Sequence, residues 1–134
     1  KNLGIEIELA NEEWKVYLKT SQEMDYDISR AGWIGDYPDA NTFLDMWLTD
    51  GGNNYTGFSS VEYDKLISDA ANAPSVEARL TLFQKAEELL MNEMPILPIY
   101  FYTARYLIDP QVREWHPTIL NHHPYKHVYL APAK

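Results

Sequence analysis

The sequence predicts an α/β fold that forms part of a sheet larger than its own strands supply. Three observations lead there. Extended stretches flank a short amphipathic helix at the start of the chain, three more helical stripes follow, and a strongly apolar extended stretch comes after the last of them. The element order is β-α-β-α-α-α-β-β. A β-α-β opening needs neighbouring strands on which to pack, so the missing ones are expected upstream of this chain.

Each element has a local reason. Gly4-Ile5-Glu6-Ile7-Glu8-Leu9 alternates apolar and acidic side chains at period two, the pattern of a strand with one buried face. Asn11 is placed to cap the next segment, Glu12 and Glu13 suit the positive end of a helix dipole, and Trp14, Tyr17 and Leu18 share a helical face. Tyr26 to Ile34 is extended in character and completes a β-α-β unit, whose crossover favours parallel strands. After the Gly35-Asp36-Tyr37-Pro38-Asp39 turn, Phe43, Leu44, Trp47 and Leu48 make an apolar helical face that stops at Gly51-Gly52, where a left-handed cap is cheap.

Ser59-Ser60-Val61-Glu62 fits a capping box ahead of a stripe of Tyr63, Leu66, Ile67 and Ala70. Pro74-Ser75 opens a fourth helix with Leu80, Phe83, Ala86 and Leu90 on one side, and Met94-Pro95 ends it. Ile96 to Tyr102 and Tyr106 to Ile108 read as strands, Pro98 confining the first to an edge or an end. From Asp109 the composition shifts to Pro, His and Asn, with a last strand from His127 to Leu130.

Composition excludes several classes of function. The 134 residues are 46% hydrophobic and 23% charged, enough for one core, and no run reaches the ~20 apolar residues of a membrane span. Eleven basic against twenty acidic residues give a net charge of -9, which repels nucleic acid and anionic lipid. The absence of cysteine excludes disulfides and thiolate metal sites and is compatible with any redox compartment. The first residues, Lys-Asn-Leu-Gly-Ile, carry no targeting or lipidation signal, which reads as a processed product or an excised piece.

His116, His122, His123 and His127 lie close together, but no helical pair with a general-base Glu occurs among them and Pro124 interrupts them. They are expected to be loop or surface residues, and no metal or cofactor is expected. Asp36 and Asp39 are paired carboxylates suited in type to acid/base chemistry. No nucleophile elbow, phosphate loop or reactive cysteine accompanies them, so catalytic residues are expected to be absent.

The segment Ser29 to Asp39 is the most informative. Arg30, Trp33, Asp36 and Tyr37 put a cation, an indole, an anion and a phenol at the end of an expected strand, where open α/β sheets bind ligands. Such a set suits a zwitterion: a carboxylate accepts from an ammonium, an indole packs on a backbone, and a guanidinium grips a carboxylate at two points. The competing reading makes Trp33 a core residue, Asp36 the cap of the next helix and Arg30 a surface charge. The residues alone leave both open.

The block Arg30-Ala31-Gly32-Trp33-Ile34-Gly35-Asp36-Tyr37-Pro38-Asp39, with Asn41 to Leu44 after it, resembles the Trp-x-x-Asp-Tyr turn and following helix of the family 5 extracellular solute-binding proteins. Asn53-Asn54, Ser59 to Ile67, Lys85 to Leu90 and Met94 to Tyr100 match that family's later signatures in order. The resemblance implies an α/β fold, the C-terminal lobe portion of a two-lobed periplasmic-binding-protein-like (type II) receptor that closes on a peptide. It implies that residues 1–102 belong to the ligand-binding lobe and that residues 103–134 are strands and a tail crossing back to the first lobe.

It further implies a non-catalytic, extracytoplasmic receptor for oligopeptides, periplasmic or a cell-surface lipoprotein, that delivers its ligand to the permease of an ABC importer. Asp36 is implied to bind the peptide α-amino group, Trp33 to line that site and Arg30 to pair with the terminal carboxylate of short peptides, with Tyr37, Tyr100 and Tyr102 near the cleft. The first lobe is absent from this chain, so a lone copy is expected to bind weakly and to self-associate through exposed sheet edges. A carboxylate-dependent hydrolase and a module that contacts itself or a permease are the rival functions.

Overall fold

The computed structural model describes residues 4–132; the outermost residues of the two expected regions, 1–3 and 133–134, lie outside it. Four helices dominate: α1 (Trp14–Glu23), α2 (Asn41–Leu44), α3 (Val61–Ala71) and α4 (Val76–Glu93). A 3₁₀ turn, Asp45–Trp47, continues α2. Two short antiparallel strands, β1 (Val112–Arg113) and β2 (Tyr129–Leu130), pair Val112 with Leu130 and Arg113 with Tyr129.

The core lies between α3 and α4. Tyr63, Ile67 and Ala70 face Phe83, Ala86 and Leu90, all buried, and Leu44 closes one end. Burial on this scale is worth ~1.5–3 kcal/mol per large side chain, enough to hold the 11-residue α3, which would be marginal alone, against α4. Of the expected α4 stripe, Leu80 is the exception at 56% exposure. Arg79 leans inward instead, its guanidinium 4.5 Å from the centre of the Phe83 ring.

The ends of both helices follow their sequence signals closely. Ser75 caps α4 by accepting from the Ala78 N–H at 3.1 Å, and Met94 ends it in a left-handed conformation just ahead of Pro95. The cap of α3 is Ser60, which accepts from the Tyr63 N–H at 3.2 Å, one residue later than the Ser59 box suggests. For α1 the cap is Glu13, not Asn11: its carboxylate accepts from the Lys15 N–H at 2.8 Å.

The Gly51-Gly52 terminus also differs from expectation. Helical geometry stops at Trp47, and the left-handed residue is Asp50. The Gly51 N–H and the Asn54 side-chain amide both donate to the Leu48 carbonyl, and the same amide reaches the Phe58 carbonyl, tying the loop back to the helix end. Gly51 serves a close approach, since a Cβ there would stand 3.0 Å from the Leu48 carbonyl oxygen.

The expected strands are corrected by the structure. Gly4 to Leu9, Tyr26 to Ile34, Ile96 to Tyr102 and Tyr106 to Ile108 form no ladder among the described residues, and the β-α-β unit is not closed. A strand exists only when a second one supplies hydrogen-bond partners, and none lies beside these segments. Their apolar side chains are consequently exposed, Leu9 at 91% and Phe101 at 98%. Of the last strand, only Tyr129–Leu130 pairs; a 3₁₀ turn over Tyr125–His127 takes the residues before it.

Candidate functional site

Arg30, Tyr100 and Tyr102 form one group. The Arg30 guanidinium donates to the Tyr102 hydroxyl and stands 5.8 Å from the centre of its ring. Tyr100 and Tyr102 are packed with ring centres 4.8 Å apart. Gly32 lies beside the Tyr102 ring, where a Cβ would make an ordinary contact at 3.6 Å. The Tyr17 hydroxyl donates to the Arg30 carbonyl at 3.1 Å, fixing the backbone from α1. The hydroxyls of Tyr100 and then Tyr102 raise the Arg30 pKa. Neutral phenols orient a guanidinium without cancelling its charge, and its five donors leave several for a carboxylate.

Asp36 and Tyr37 belong to a second group, on the turn before α2. The Asp36 N–H donates to the hydroxyl oxygen of buried Thr42 at 3.0 Å. Its carboxylate is exposed, and among the described residues no hydrogen bond or ion pair ends on it. The carboxylate bonded to the start of the following helix is that of Asp39, which accepts from the Asn41 N–H at 2.8 Å. The competing reading of Asp36 as that cap is therefore not what the structure has.

Tyr37 is tied down differently. Its hydroxyl accepts from the Asn41 side-chain amide at 2.9 Å and donates to the Asp45 carboxylate at 3.2 Å, which occupies its polar end. The Trp33 indole is half-buried, with its N–H buried and, among the described residues, unpartnered.

Three contributors to this turn escape any local reading of the sequence. Gly35 is one, since a Cβ there would stand 3.0 Å from the Thr42 methyl and 3.1 Å from the Phe43 ring. Thr42 is the second. The third is Arg79 on α4, whose guanidinium forms an ion pair with Asp39 across 40 residues of sequence. That guanidinium, and then the Asn41 N–H, holds the Asp39 carboxyl below the usual carboxylate range.

The histidines sit apart from this site. His116 is 3.0 Å from Glu114, and His123 stacks on Trp115 with ring centres 4.2 Å apart. Among the described residues no group of three potential ligands could hold a metal. A shallow recess on α4, lined by Gln84, Glu87, Glu88, Met91 and Asn92, shares no residue with either group.

Residues 1–55 match the model of the bacterial extracellular solute-binding proteins, family 5 Middle. The oligopeptide-binding protein OppA of Bacillus subtilis is 40% identical over 114 residues, which are 84% of this chain and 21% of that protein. Among solved structures, the murein tripeptide binding protein MppA of Escherichia coli superposes with a TM-score of 0.82 at 32% identity, over 98% of this chain and 26% of that one. Haemophilus influenzae OppA, in complex with RPPGFSPFR, gives 0.79 at 33% identity, over 93% and 25%.

The sequence matches and the backbone superpositions agree on one class of protein, the bacterial solute-binding proteins. The chain belongs to the bacterial extracellular solute-binding proteins of family 5. The same likeness bears out the fold class, the lobe portion of a two-lobed periplasmic binding-protein fold, of which the described residues supply the helices and one short ladder. The chain spans about a fifth of the length of the relatives it matches.

Proposed function

We propose that this chain supplies the peptide-anchoring part of an extracytoplasmic receptor that captures oligopeptides for an ABC importer. Asp36 holds the α-ammonium of the peptide, Trp33 packs beside it, and Arg30, steadied by Tyr100 and Tyr102, pairs with a terminal carboxylate. Residues 1–102 act within the ligand-binding lobe, and residues 103–134 run on as its tail toward the first lobe. The receptor works outside the cytoplasmic membrane, in the periplasm or as a surface lipoprotein, and hands its ligand to the importer's transmembrane permease.

The observation that carries this reading is the Asp36 carboxylate, exposed and, among the described residues, unengaged on a turn whose backbone is pinned by Thr42. A charge displayed on a fixed turn without an internal partner suits an external counter-ion. The neighbouring acid supports binding over acid catalysis. Asp39, the second carboxylate of a would-be acid/base pair, is engaged by Arg79 and Asn41 and held ionised, which unsuits it as a general acid.

Calorimetric titration of the full receptor carrying this segment tests the proposal. Asp36→Asn keeps the shape but leaves the ammonium unpaired, a loss of about 2–5 kcal/mol, or about thirty-fold to several thousand-fold in affinity. Unchanged affinity in the variant overturns the assignment, and peptide turnover abolished by Asp36→Asn or Asp39→Asn replaces it with a hydrolase.

A further inference from the structure

The Asp39–Arg79 pair joins the ligand turn to the helical core, and we infer that Arg79 is the positioning residue that sets Asp36 for its ligand. This rests on the proposed role of Asp36 and deepens it. Arg79 touches both sides of the junction: its guanidinium lies 4.5 Å from the centre of the buried Phe83 ring and pairs with the Asp39 carboxylate. Both side chains of the pair are about one-third exposed, at 33% and 32%, so water screens them only in part.

The connection continues to Asp36 through short links. One Asp39 oxygen receives Arg79 while the other receives the Asn41 N–H at 2.8 Å, fixing the start of α2. The Thr42 N–H donates to the Asp39 carbonyl at 3.3 Å, and the Thr42 hydroxyl oxygen in turn accepts the Asp36 N–H at 3.0 Å. Displacing Asp39 therefore displaces Thr42 and the backbone of Asp36, while Gly35, packed against Thr42 and Phe43, leaves little slack on the other side.

An arginine is suited to this task. It stacks on an aromatic face while donating in its plane, so one side chain fixes distance and direction together. A lysine at the same place keeps the charge without the stack or the fork.

Amide hydrogen exchange in the full 134-residue chain, joined to peptide titration in the full receptor, provides the test. With Arg79→Met the Asp36 and Asn41 amides are expected to exchange about threefold to fivefold faster, as for the loss of a partly exposed ion pair, with Ile67 and Phe83 amides unchanged. Arg79→Lys restores part of the protection. In the receptor, Arg79→Met weakens a peptide with a free amino terminus about threefold to fivefold and leaves its N-acetylated form unaffected, because only the former uses Asp36. Unaltered exchange at Asp36, or equal weakening of both peptides, overturns the inference. If wild-type binding is indifferent to acetylation, the Asp36 reading itself falls, and the exchange arm still decides whether Arg79 holds the turn.

Discussion

The α3–α4 pair and the segments on either side of the helices are both rich in apolar side chains, yet they meet opposite fates. Tyr63 and Ala86 are 0% exposed, while Ile7 is 69% and Phe101 98% exposed. The difference is in where backbone hydrogen bonds come from. A helix closes its own, so two neighbouring helices complete a core once their stripes meet. A strand borrows its bonds from another strand, and among the described residues the segments 5–9, 28–34 and 96–108 have none beside them. Helical parts of a lobe keep their structure within this chain; sheet parts depend on surfaces supplied from elsewhere.

That contrast breaks first if the chain on its own is a monomer. Ile5, Ile7, Ile28, Ile34 and Leu97 are all more than half exposed, so the isolated chain is expected to associate. Sedimentation velocity should give a mass of two copies or more; a monodisperse monomer with cooperative unfolding would show these segments finding cover within one copy. The next effect is a matched pair of truncations. Phe83→Ala opens the core and should cost about 3–5 kcal/mol in denaturant unfolding, whereas Phe101→Ala should stay within about 0.5 kcal/mol.

Smaller effects sharpen the helical side. Removing the α3 cap with Ser60→Ala should cost about 1 kcal/mol, while Ser59→Ala, adjacent but not capping, should cost little. The smallest is a pH effect at the junction. Arg79 lowers the Asp39 pKa in the folded chain, so the pair's stabilisation is present above the ordinary carboxylate value of about 4 and is lost as pH falls through the lowered one. At one-third exposure the gap between wild type and Asp39→Asn should be under about 1 kcal/mol at pH 7 and close below pH ~4. A gap that persists at pH 2 would mean that packing, not charge, joins the turn to α4.

How much of this was legible in the sequence follows the same division. The α3 and α4 stripes were readable because a helix writes its partner face at a fixed spacing, and Tyr63, Ile67, Phe83 and Leu90 are buried as expected. The extended segments were readable as alternation, but pairing is a long-range fact that alternation cannot carry, and four expected strands went unpaired. Caps shifted by a residue or two, Ser60 for Ser59 and Glu13 for Asn11, because several adjacent side chains could have made the same bond. At the site, the Arg30 to Tyr37 block stood out by its chemistry. Its supports did not: Asp39 meets Arg79 across 40 positions, and nothing local to either residue marks the other.

The central claim is that the Asp36 carboxylate meets a peptide's α-ammonium, and a double cycle measures that contact directly. Wild type and Asp36→Asn forms of the full receptor are titrated with one peptide bearing either a free or an acetylated amino terminus. Acetylation should weaken wild-type binding by about 2–5 kcal/mol and the variant by little, because the two changes remove opposite partners of one interaction. Losses that simply add would show that Asp36 and the ammonium do not meet.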